Sequence, residues 1–237
     1  MAKDLVTIYG IHPVLEILKA DIFRVQKIYT TEKLAKRYNE QFAQLGRKLQ
    51  VLEPQDFKKK FSTELNHQYL IAEVQAKQFF TADDFIKRKQ RAAKILILDQ
   101  LTDVHNLGAI IRSAVAFNIS DIFITAQNSL TDYGLLAKAS AGLVEHCNLY
   151  LVKNLNSFLA QLKKQDYWCA GLAGEAKADI SELKKFEKLA LILGSEGQGI
   201  RNLVKENCDL LVRIEIDTKV ESLNVSNAAA IALFTIG

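Results

Sequence analysis

The chain has 237 residues, 49% of them hydrophobic, and a net charge of +4 at pH 7, which suits one large or two small packed domains. No charge-free apolar stretch approaches the roughly 18 residues of a membrane span, and residues 1–20 carry charges where a signal peptide has an apolar block. This pattern excludes a membrane-spanning class, and we expect a soluble protein of the cytoplasm.

The first 76 residues alternate strand-like and helical patterns. Strand-like runs cover 25–29, 49–52 and 69–74, and helical spacing covers 12–19 and 33–45. Residues 1–90 also carry 16 Lys and Arg against 11 Asp and Glu, a surplus that is either a solvated face or a surface favouring a polyanion such as RNA. We expect a small α/β domain at 1–76.

The polar, charged stretch 77–92 predicts a linker, with the domain boundary near residue 90. Beyond it, short apolar runs alternate with helical segments; the runs are 95–98, 121–125, 149–152, 168–173, 189–193 and 210–216, and the helical segments include 107–117, 155–164 and 199–207. Continuous apolarity is typical of strands buried on both faces of a parallel sheet. Residues 93–237 are therefore predicted to form a doubly wound, parallel-sheet α/β domain.

The three cysteines do not indicate metal or redox chemistry. Cys147, Cys169 and Cys208 lie within or beside apolar runs and lack C-x-x-C spacing. We interpret them as small buried hydrophobic residues and not as disulfide partners or zinc ligands.

One polar segment follows the run 95–98 and contains Asn106-Leu107-Gly108 and Arg112. An arginine among Ile110, Ile111 and Ala114 needs an anionic or carbonyl partner if it points inward, and is otherwise a plain surface residue. Asn106 alone could simply cap the helix.

A second segment, Gly194-Ser-Glu-Gly-Gln-Gly199, follows the run 189–193. Glycines allow a sharp turn and close approach of a ligand, but the spacing G-x-x-G-x-G matches neither the dinucleotide fingerprint nor a P-loop. The turn is either structural or, because it carries Glu196 at the end of a strand, part of a site.

The third segment, Ser222-Leu-Asn224-Val-Ser-Asn227, precedes a helix of small and apolar residues. One cap would suffice there, so the surplus of polar side chains indicates ligand contacts as well. Each of the three segments lies where an apolar strand gives way to a helix, and helix N-termini behind parallel strands meet at one crevice. We predict one composite site.

Together, N-L-G-x-x-x-R, G-S-E-G-x-G and S-L-N-V-S-N-A resemble the motifs of the SpoU branch of the SPOUT (TrmH-type, trefoil-knot) RNA 2′-O-ribose methyltransferases. The likeness continues through Ser140-Ala-Gly142-x-x-Glu145 and covers 98–234. The N-terminal part, with Ile8-Tyr-Gly-Ile-His12 and His67-Gln68, is similar to the ribosomal-protein L30e-like substrate-binding domain of bacterial 23S rRNA guanosine 2′-O-methyltransferases. Val104 replaces a proline of the family, and Tyr69 a glycine.

The resemblance implies an S-adenosylmethionine-dependent enzyme that methylates a ribose 2′-OH of RNA, with a guanosine of 23S rRNA as the expected target. It also implies a C-terminal trefoil knot, although strand order alone predicts an unknotted sheet, and an active site completed across a homodimer. The implied cofactor-binding residues are Gly194, Gly199, Ile214, Ile216 and Leu223. The implied catalytic residues are Asn106, Arg112, Glu196, Ser222 and Asn224, with no metal.

The family assigns Arg112 to activation of the 2′-OH. A guanidinium is so weak an acid that deprotonating it at neutral pH would cost on the order of 8 kcal/mol. We therefore interpret Arg112 as the group that binds the adjoining phosphate and stabilises the forming alkoxide, with phosphate or water accepting the proton. Glu196, Asn106, Ser222 and Asn224 would orient Arg112 and the ribose.

Two alternatives remain open at the level of sequence. A tRNA 2′-O-ribose methyltransferase shares the three motifs but usually lacks the N-terminal domain. A non-catalytic RNA-binding or ribosome-assembly factor could keep the fold without the chemistry, although Arg112, Glu196 and Asn224 are intact. An NAD-dependent oxidoreductase is disfavoured by the glycine spacing.

Overall fold

The computed structural model describes residues 5–61, 65–125 and 132–237. These residues divide into two compact units. The first contains the described residues of Met1–Gln78 and Leu130–His146, and the second those of Phe79–Ser129 and Cys147–Gly237.

The strands and helices below are numbered along the described chain. The strands are β1 (Leu5–Tyr9), β2 (Val25–Thr30), β3 (Leu49–Val51), β4 (Leu70–Gln75), β5 (Phe80–Thr81), β6 (Lys94–Leu98), β7 (Asp121–Ile124), β8 (Asn148–Leu151), β9 (Trp168–Leu172), β10 (Ala178–Asp179), β11 (Leu189–Leu193) and β12 (Leu210–Arg213). The helices are α1 (Ile11–Asp21), α2 (Glu32–Arg37), α3 (Asn39–Phe42), α4 (Pro54–Lys60), α5 (Ala82–Ile86), α6 (Val104–Ala116), α7 (Tyr133–Ala139), α8 (Leu155–Lys163), α9 (Asn202–Glu206) and α10 (Val225–Ile236).

The first unit is built on a four-stranded sheet of order β1-β4-β2-β3. β4 pairs antiparallel with both neighbours, and β2 pairs parallel with β3. The three predicted strands are confirmed within a residue or so at their ends. The helical pattern at 33–45 is present as two short helices, α2 and α3, and β1 was not predicted.

The turn before β4 has an unusual backbone. Gln68 and Tyr69 have φ values of 53° and 57°, the left-handed region that favours glycine. Tyr69 therefore occupies a backbone conformation that glycine adopts more readily. Its N–H donates to His67 Nδ1 over 3.0 Å, and its ring packs on Phe57 with centroids 5.6 Å apart. These contacts offset the energetic cost of the positive φ at Tyr69.

Residues 132–146 belong to the first compact unit, although the sequence division places them in the domain 93–237. The Glu145 side chain is 1% exposed and pairs with Arg24 Nη1 over 2.5 Å. Tyr133 OH donates to Glu145 Oε1 over 2.7 Å. A Cβ on Gly142 would lie 2.6 Å from Glu16 Cβ, so only glycine fits against α1. The similarity through Ser140, Gly142 and Glu145 is thus a packing motif of this unit.

The second unit is an eight-stranded, wholly parallel sheet of order β10-β12-β9-β11-β6-β7-β8-β5. The six predicted strands are all present, so the parallel-sheet α/β fold is confirmed. The run 210–216 is paired only as far as Arg213. Strands β5 and β10 were missed because each has two residues, too few to show a period.

The stretch 77–92, expected as a linker, contains β5 and α5 of the second unit. Phe85 is fully buried there, with its ring 5.0 Å from Phe123 and 5.5 Å from Tyr150. Phe85 was not recognised as a core residue from the sequence because most of the residues around it are polar or charged.

The predicted burial of the cysteines is confirmed for Cys147 and Cys169, and Cys208 is half-buried. Burial raises the pKa of Cys169 to about 12 and that of Cys208 to about 11, so both thiols stay protonated at neutral pH.

In the described part of the chain, no helix is long and apolar enough to cross a bilayer.

Candidate active site

The three polar segments follow β6, β11 and β12 of the parallel sheet. In this sheet β6 and β11 are neighbours, and β9 lies between β11 and β12. All of these strands run in one direction. Their carboxyl ends therefore meet at one edge, and the chain that follows each strand enters the same crevice. Residues 99–106 follow β6 and residues 194–199 follow β11.

Asp103 begins α6 and orients the Asn106 side chain. Its Oδ1 accepts from His105 N over 2.9 Å as the N-cap, and its Oδ2 accepts from Asn106 Nδ2 over 2.8 Å. Asn106 is 9% exposed. It is therefore a side chain held inside the site and not the helix cap, a role that belongs to Asp103.

The glycine turn after β11 projects Glu196. Ser195 N donates to Gly199 O over 3.1 Å and Gly199 N donates to Ser195 O over 2.9 Å, which closes the loop at its base. A Cβ on Gly194 would lie 1.9 Å from the Gly199 carbonyl carbon, so any side chain there would force the loop apart. The closed loop leaves Glu196 exposed at its tip.

Asn106, Glu196 and Asn224 form one hydrogen-bond network. Glu196 Oε1 accepts from Asn106 Nδ2 over 2.8 Å and from Asn224 Nδ2 over 2.6 Å, and Asn224 Nδ2 also donates to Asn106 Oδ1 over 3.2 Å. Asn224 Oδ1 meanwhile caps α10 by accepting from Ser226 N over 2.8 Å. Within the described residues no hydrogen bond reaches Glu196 Oε2, so this oxygen can accept one from a ligand.

An ion pair between the buried Asp99 and the half-exposed Arg201 lies next to the glycine loop. The Asp99 side chain is 0% exposed, and its two oxygens accept from Arg201 Nε over 3.0 and 3.1 Å. Asp99 directly follows β6 and Arg201 directly precedes α9, so the pair links the end of β6 to the chain that leaves the glycine loop. Neither residue was singled out from the sequence, although an aspartate directly after a buried strand is a usable signal.

A cavity of about 530 Å³ opens beside the network. All five predicted cofactor-binding residues line it, namely Gly194, Gly199, Ile214, Ile216 and Leu223. Its ionisable lining residues are Glu175, Glu196, Glu221 and Lys205, which gives three negative charges against one positive. An apolar slot with excess negative charge suits a ligand that has a flat apolar part and a cationic part.

Two predicted catalytic residues are not in the network. Arg112 is exposed, six residues beyond Asn106 on α6, which puts it about 9 Å further along the helix and on a different face. It forms no hydrogen bond or ion pair with another described residue. Ser222 lines the cavity and is exposed, with no hydrogen-bond partner among the residues described.

Two family models match this chain. The SpoU rRNA Methylase family matches residues 93–234, and the domain described as RNA 2′-O ribose methyltransferase substrate binding matches residues 7–80. The chain belongs to the SpoU rRNA methylase family. The resemblance inferred from the three motifs is thus confirmed.

Relatives of the SpoU family resemble this chain over nearly its whole length. It is 36% identical over 234 residues to the 23S rRNA (guanosine-2′-O-)-methyltransferase RlmB of Vibrio vulnificus, covering 96% of this chain and 94% of the relative. The same-named protein of Pseudomonas putida is 32% identical over 98% of this chain and 96% of its own. The SpoU methyltransferase AviRb of Streptomyces viridochromogenes, solved with AdoMet, has a TM-score of 0.79 at 18% identity, covering 98% and 89% of the two chains.

Proposed function

We propose that this chain is an S-adenosylmethionine-dependent RNA 2′-O-ribose methyltransferase that acts on a guanosine of 23S rRNA in the cytoplasm. The observation that carries the proposal is the Asn106–Glu196–Asn224 network at the wall of the cavity. Its three residues come from positions 106, 196 and 224, one in each motif of the family. The RlmB names of relatives at 32–36% identity support the substrate class.

The cavity fits the cofactor. Ile214, Ile216 and Leu223 are half-buried apolar walls that suit an adenine ring, and the carboxylates of Glu196 and Glu221 suit a sulfonium. When bound, S-adenosylmethionine supplies a methyl group that its positive charge has already activated. The protein must therefore supply the nucleophile's orientation and a water-poor environment.

Glu196 and the two asparagines supply orientation. Because both asparagine Nδ2 atoms donate to Glu196 Oε1, the carboxylate is held in one direction and Oε2 is left for the ribose hydroxyl or for a guanidinium. Ser222, which has no hydrogen-bond partner among the described residues, lies at the cavity wall and offers a hydroxyl that can contact the ribose. Phosphate or water accepts the ribose proton in this scheme.

Arg112 reaches the site in a homodimer. Within one chain it lies about 9 Å along α6 from Asn106, exposed and without a partner among the described residues. In this proposal Arg112 of a second copy meets the Glu196 network, binds the phosphate next to the target ribose and stabilises the alkoxide. Each site then needs both chains.

Residues 1–76, in an L30e-like fold, select the RNA in this proposal, and 93–237 carry out methyl transfer. The basic surplus of the first third favours RNA. In this proposal the last third of the chain forms a trefoil knot. In support, β9 and β11 lie between β12 and β6 in the sheet. The chain after β12 nevertheless crosses back over these strands, so that α10 packs against α6, the helix that follows β6. Single-molecule stretching tests the knot, since a knotted chain extends less than about 3.5 Å for each of its 237 residues.

The test of function is methylation of ribosomal RNA in vitro. We expect the purified protein to transfer labelled methyl groups to 23S rRNA taken from cells that lack the enzyme, at one guanosine 2′-oxygen located by mapping. Arg112→Ala should abolish transfer while cofactor affinity stays within about twofold, because Arg112 contacts RNA and not the cofactor.

Transfer to tRNA alone would replace the rRNA assignment. Cofactor binding without transfer to any RNA would instead favour the assembly-factor alternative. Full activity of Arg112→Ala would contradict the role given to Arg112.

A further inference from the structure

An ion pair lines the cavity on the side away from Asn106. Lys205 Nζ donates to Glu175 Oε1, and both residues belong to the cavity wall. Glu175 follows β9, whereas Asn106 follows the strand on the other side of β11. The cavity therefore has the catalytic network near one strand end and a pair of opposite charges near another.

The pair presents its two charges in a form that a ligand can use. The Lys205 side chain is 21% exposed and the Glu175 side chain 61%. The hydrogen bond from Lys205 lowers the pKa of Glu175, so the carboxylate is ionised at neutral pH. An exposed surface pair by itself adds little to stability. The Lys205–Glu175 pair differs from another pair of the same unit, Lys185–Glu182, because Lys205 and Glu175 line the cavity and Lys185 and Glu182 do not.

We propose that Lys205 and Glu175 bind the zwitterionic amino-acid end of the cofactor, with Lys205 on the α-carboxylate and Glu175 on the α-ammonium. This inference rests on the proposed function, because it takes S-adenosylmethionine as the ligand. The ammonium of Lys205 then faces the ligand's carboxylate, and the carboxylate of Glu175 faces the ligand's ammonium. Both charged groups of the ligand are attached to its α-carbon, so they lie as close together as the charged ends of Lys205 and Glu175.

The strand spacing agrees with this placement. Glu196 follows β11 and Glu175 follows the neighbouring β9, and adjacent strands lie about 4.8 Å apart. The short methylene chain between the sulfur and the α-carbon spans that gap, so a sulfonium beside Glu196 leaves the amino-acid end beside Glu175. The apolar walls at Ile214, Ile216 and Leu223 remain for the adenine.

Calorimetry with two related ligands tests the proposal on the full-length protein. S-adenosylhomocysteine carries the zwitterion, and 5′-methylthioadenosine has the same nucleoside without it. We expect Lys205→Met to weaken binding of S-adenosylhomocysteine about tenfold and of 5′-methylthioadenosine less than twofold. Glu175→Gln should act in the same direction but less, because Glu175 is more exposed.

Lys185→Met is the matched control, since it removes an equivalent lysine outside the cavity, and it should change neither affinity. Raising the salt concentration should weaken wild-type binding of S-adenosylhomocysteine alone, a measurement that does not depend on any variant folding. Parallel losses for both ligands would indicate a contact to the ribose or a structural role, and unchanged affinities would indicate no contact; either result overturns the proposal. Wild-type protein that binds neither ligand would instead refute the proposed function.

Discussion

At the scale of single residues, Asp103 decides which way the Asn106 amide faces. Both Asn106 Nδ2 hydrogens go to carboxylates, one to Asp103 and one to Glu196, so Oδ1 is turned toward Asn224. A free amide could flip and reverse its donor and acceptor. Asp103 therefore acts as a positioning residue: it contacts Asn106 and, through it, fixes the donors and acceptors that Glu196 and Asn224 meet.

Two substitutions of Asp103 separate this role from helix capping. Asp103→Ser keeps an N-cap but is too short for Asn106, and Asp103→Asn offers only one acceptor oxygen for two donors. We expect both to lower kcat about tenfold, the value of one charge-assisted hydrogen bond, with S-adenosylhomocysteine affinity unchanged. Steady-state kinetics and thermal melting check this; a loss of activity that only follows a loss of stability would contradict it.

His67 predicts a pH dependence of stability in the first unit. Burial and then the nearby charge of Lys138 lower the pKa of His67, and its Nδ1 accepts from Tyr69 N. A depressed folded-state pKa means stability that is present above the unfolded pKa of about 6.5 and is lost as the pH falls through the folded pKa.

We therefore expect the melting temperature of wild type to drop between pH 7.5 and pH 5.5. His67→Asn keeps an acceptor near the position of Nδ1 but does not titrate, so its drop over this interval should be smaller. Equal drops in the two proteins would rule out His67 as the cause.

At the scale of elements, the strand–turn–helix from β11 to α9 forms the loop that carries Glu196. Its glycines have different duties. Gly194 is in van der Waals contact with the far end of the loop, whereas Gly197 has φ 79° and open space around its Cα. A side chain at Gly194 must break the loop closure, and one at Gly197 meets only backbone strain.

Alanine at each glycine tests this difference. We expect Gly194→Ala to weaken S-adenosylhomocysteine binding more than tenfold, because the Gly199 carbonyl and the cavity wall must move. Gly197→Ala should cost about 1 kcal/mol of stability and leave binding within about threefold. The idea fails if Gly194→Ala binds like wild type or if Gly197→Ala is the more damaging change in calorimetry.

At the scale of the whole molecule, the proposed second copy accounts for two exposed features. Arg112 on α6 is exposed and unpaired among the described residues, and Phe234 on α10 is 72% exposed with its ring 5.8 Å from that of Phe117. The helices α6 and α10 pack together. An exposed aromatic side chain on this helix pair is consistent with a symmetric interface there.

Mixed dimers test whether the site is shared. Arg112→Ala and Glu196→Gln homodimers should each be inactive. A heterodimer of the two, purified with two different tags, contains one site with both wild-type residues if they come from opposite chains, so it should show about half the wild-type rate. If Arg112 acts with Glu196 of its own chain, the heterodimer will be as inactive as its parents.

Local sequence patterns explain how much of the fold and of the candidate site could be predicted. Apolar runs identified all six main strands of the second unit. A strand that is buried on both faces has apolar side chains at consecutive positions, so it can be recognised from the sequence alone. The motif segments were found because a change from strand to helix requires glycine or polar caps at fixed places. The edge strands β5 and β10 were missed because two residues are too few to show a period. The packing of 132–146 was missed because it depends on contacts between distant residues, such as Arg24 with Glu145.

The sequence by itself determined the class of fold, the family and the residue types of the site, because these are properties of short segments. Tertiary structure decided which of those residues meet. Asn106 and Glu196 are 90 positions apart, and Asn224 is a further 28 beyond Glu196, so no local pattern could join them or leave Arg112 outside. Only the order of strands in the sheet brings these loops to one edge, and with them the pair of Lys205 and Glu175.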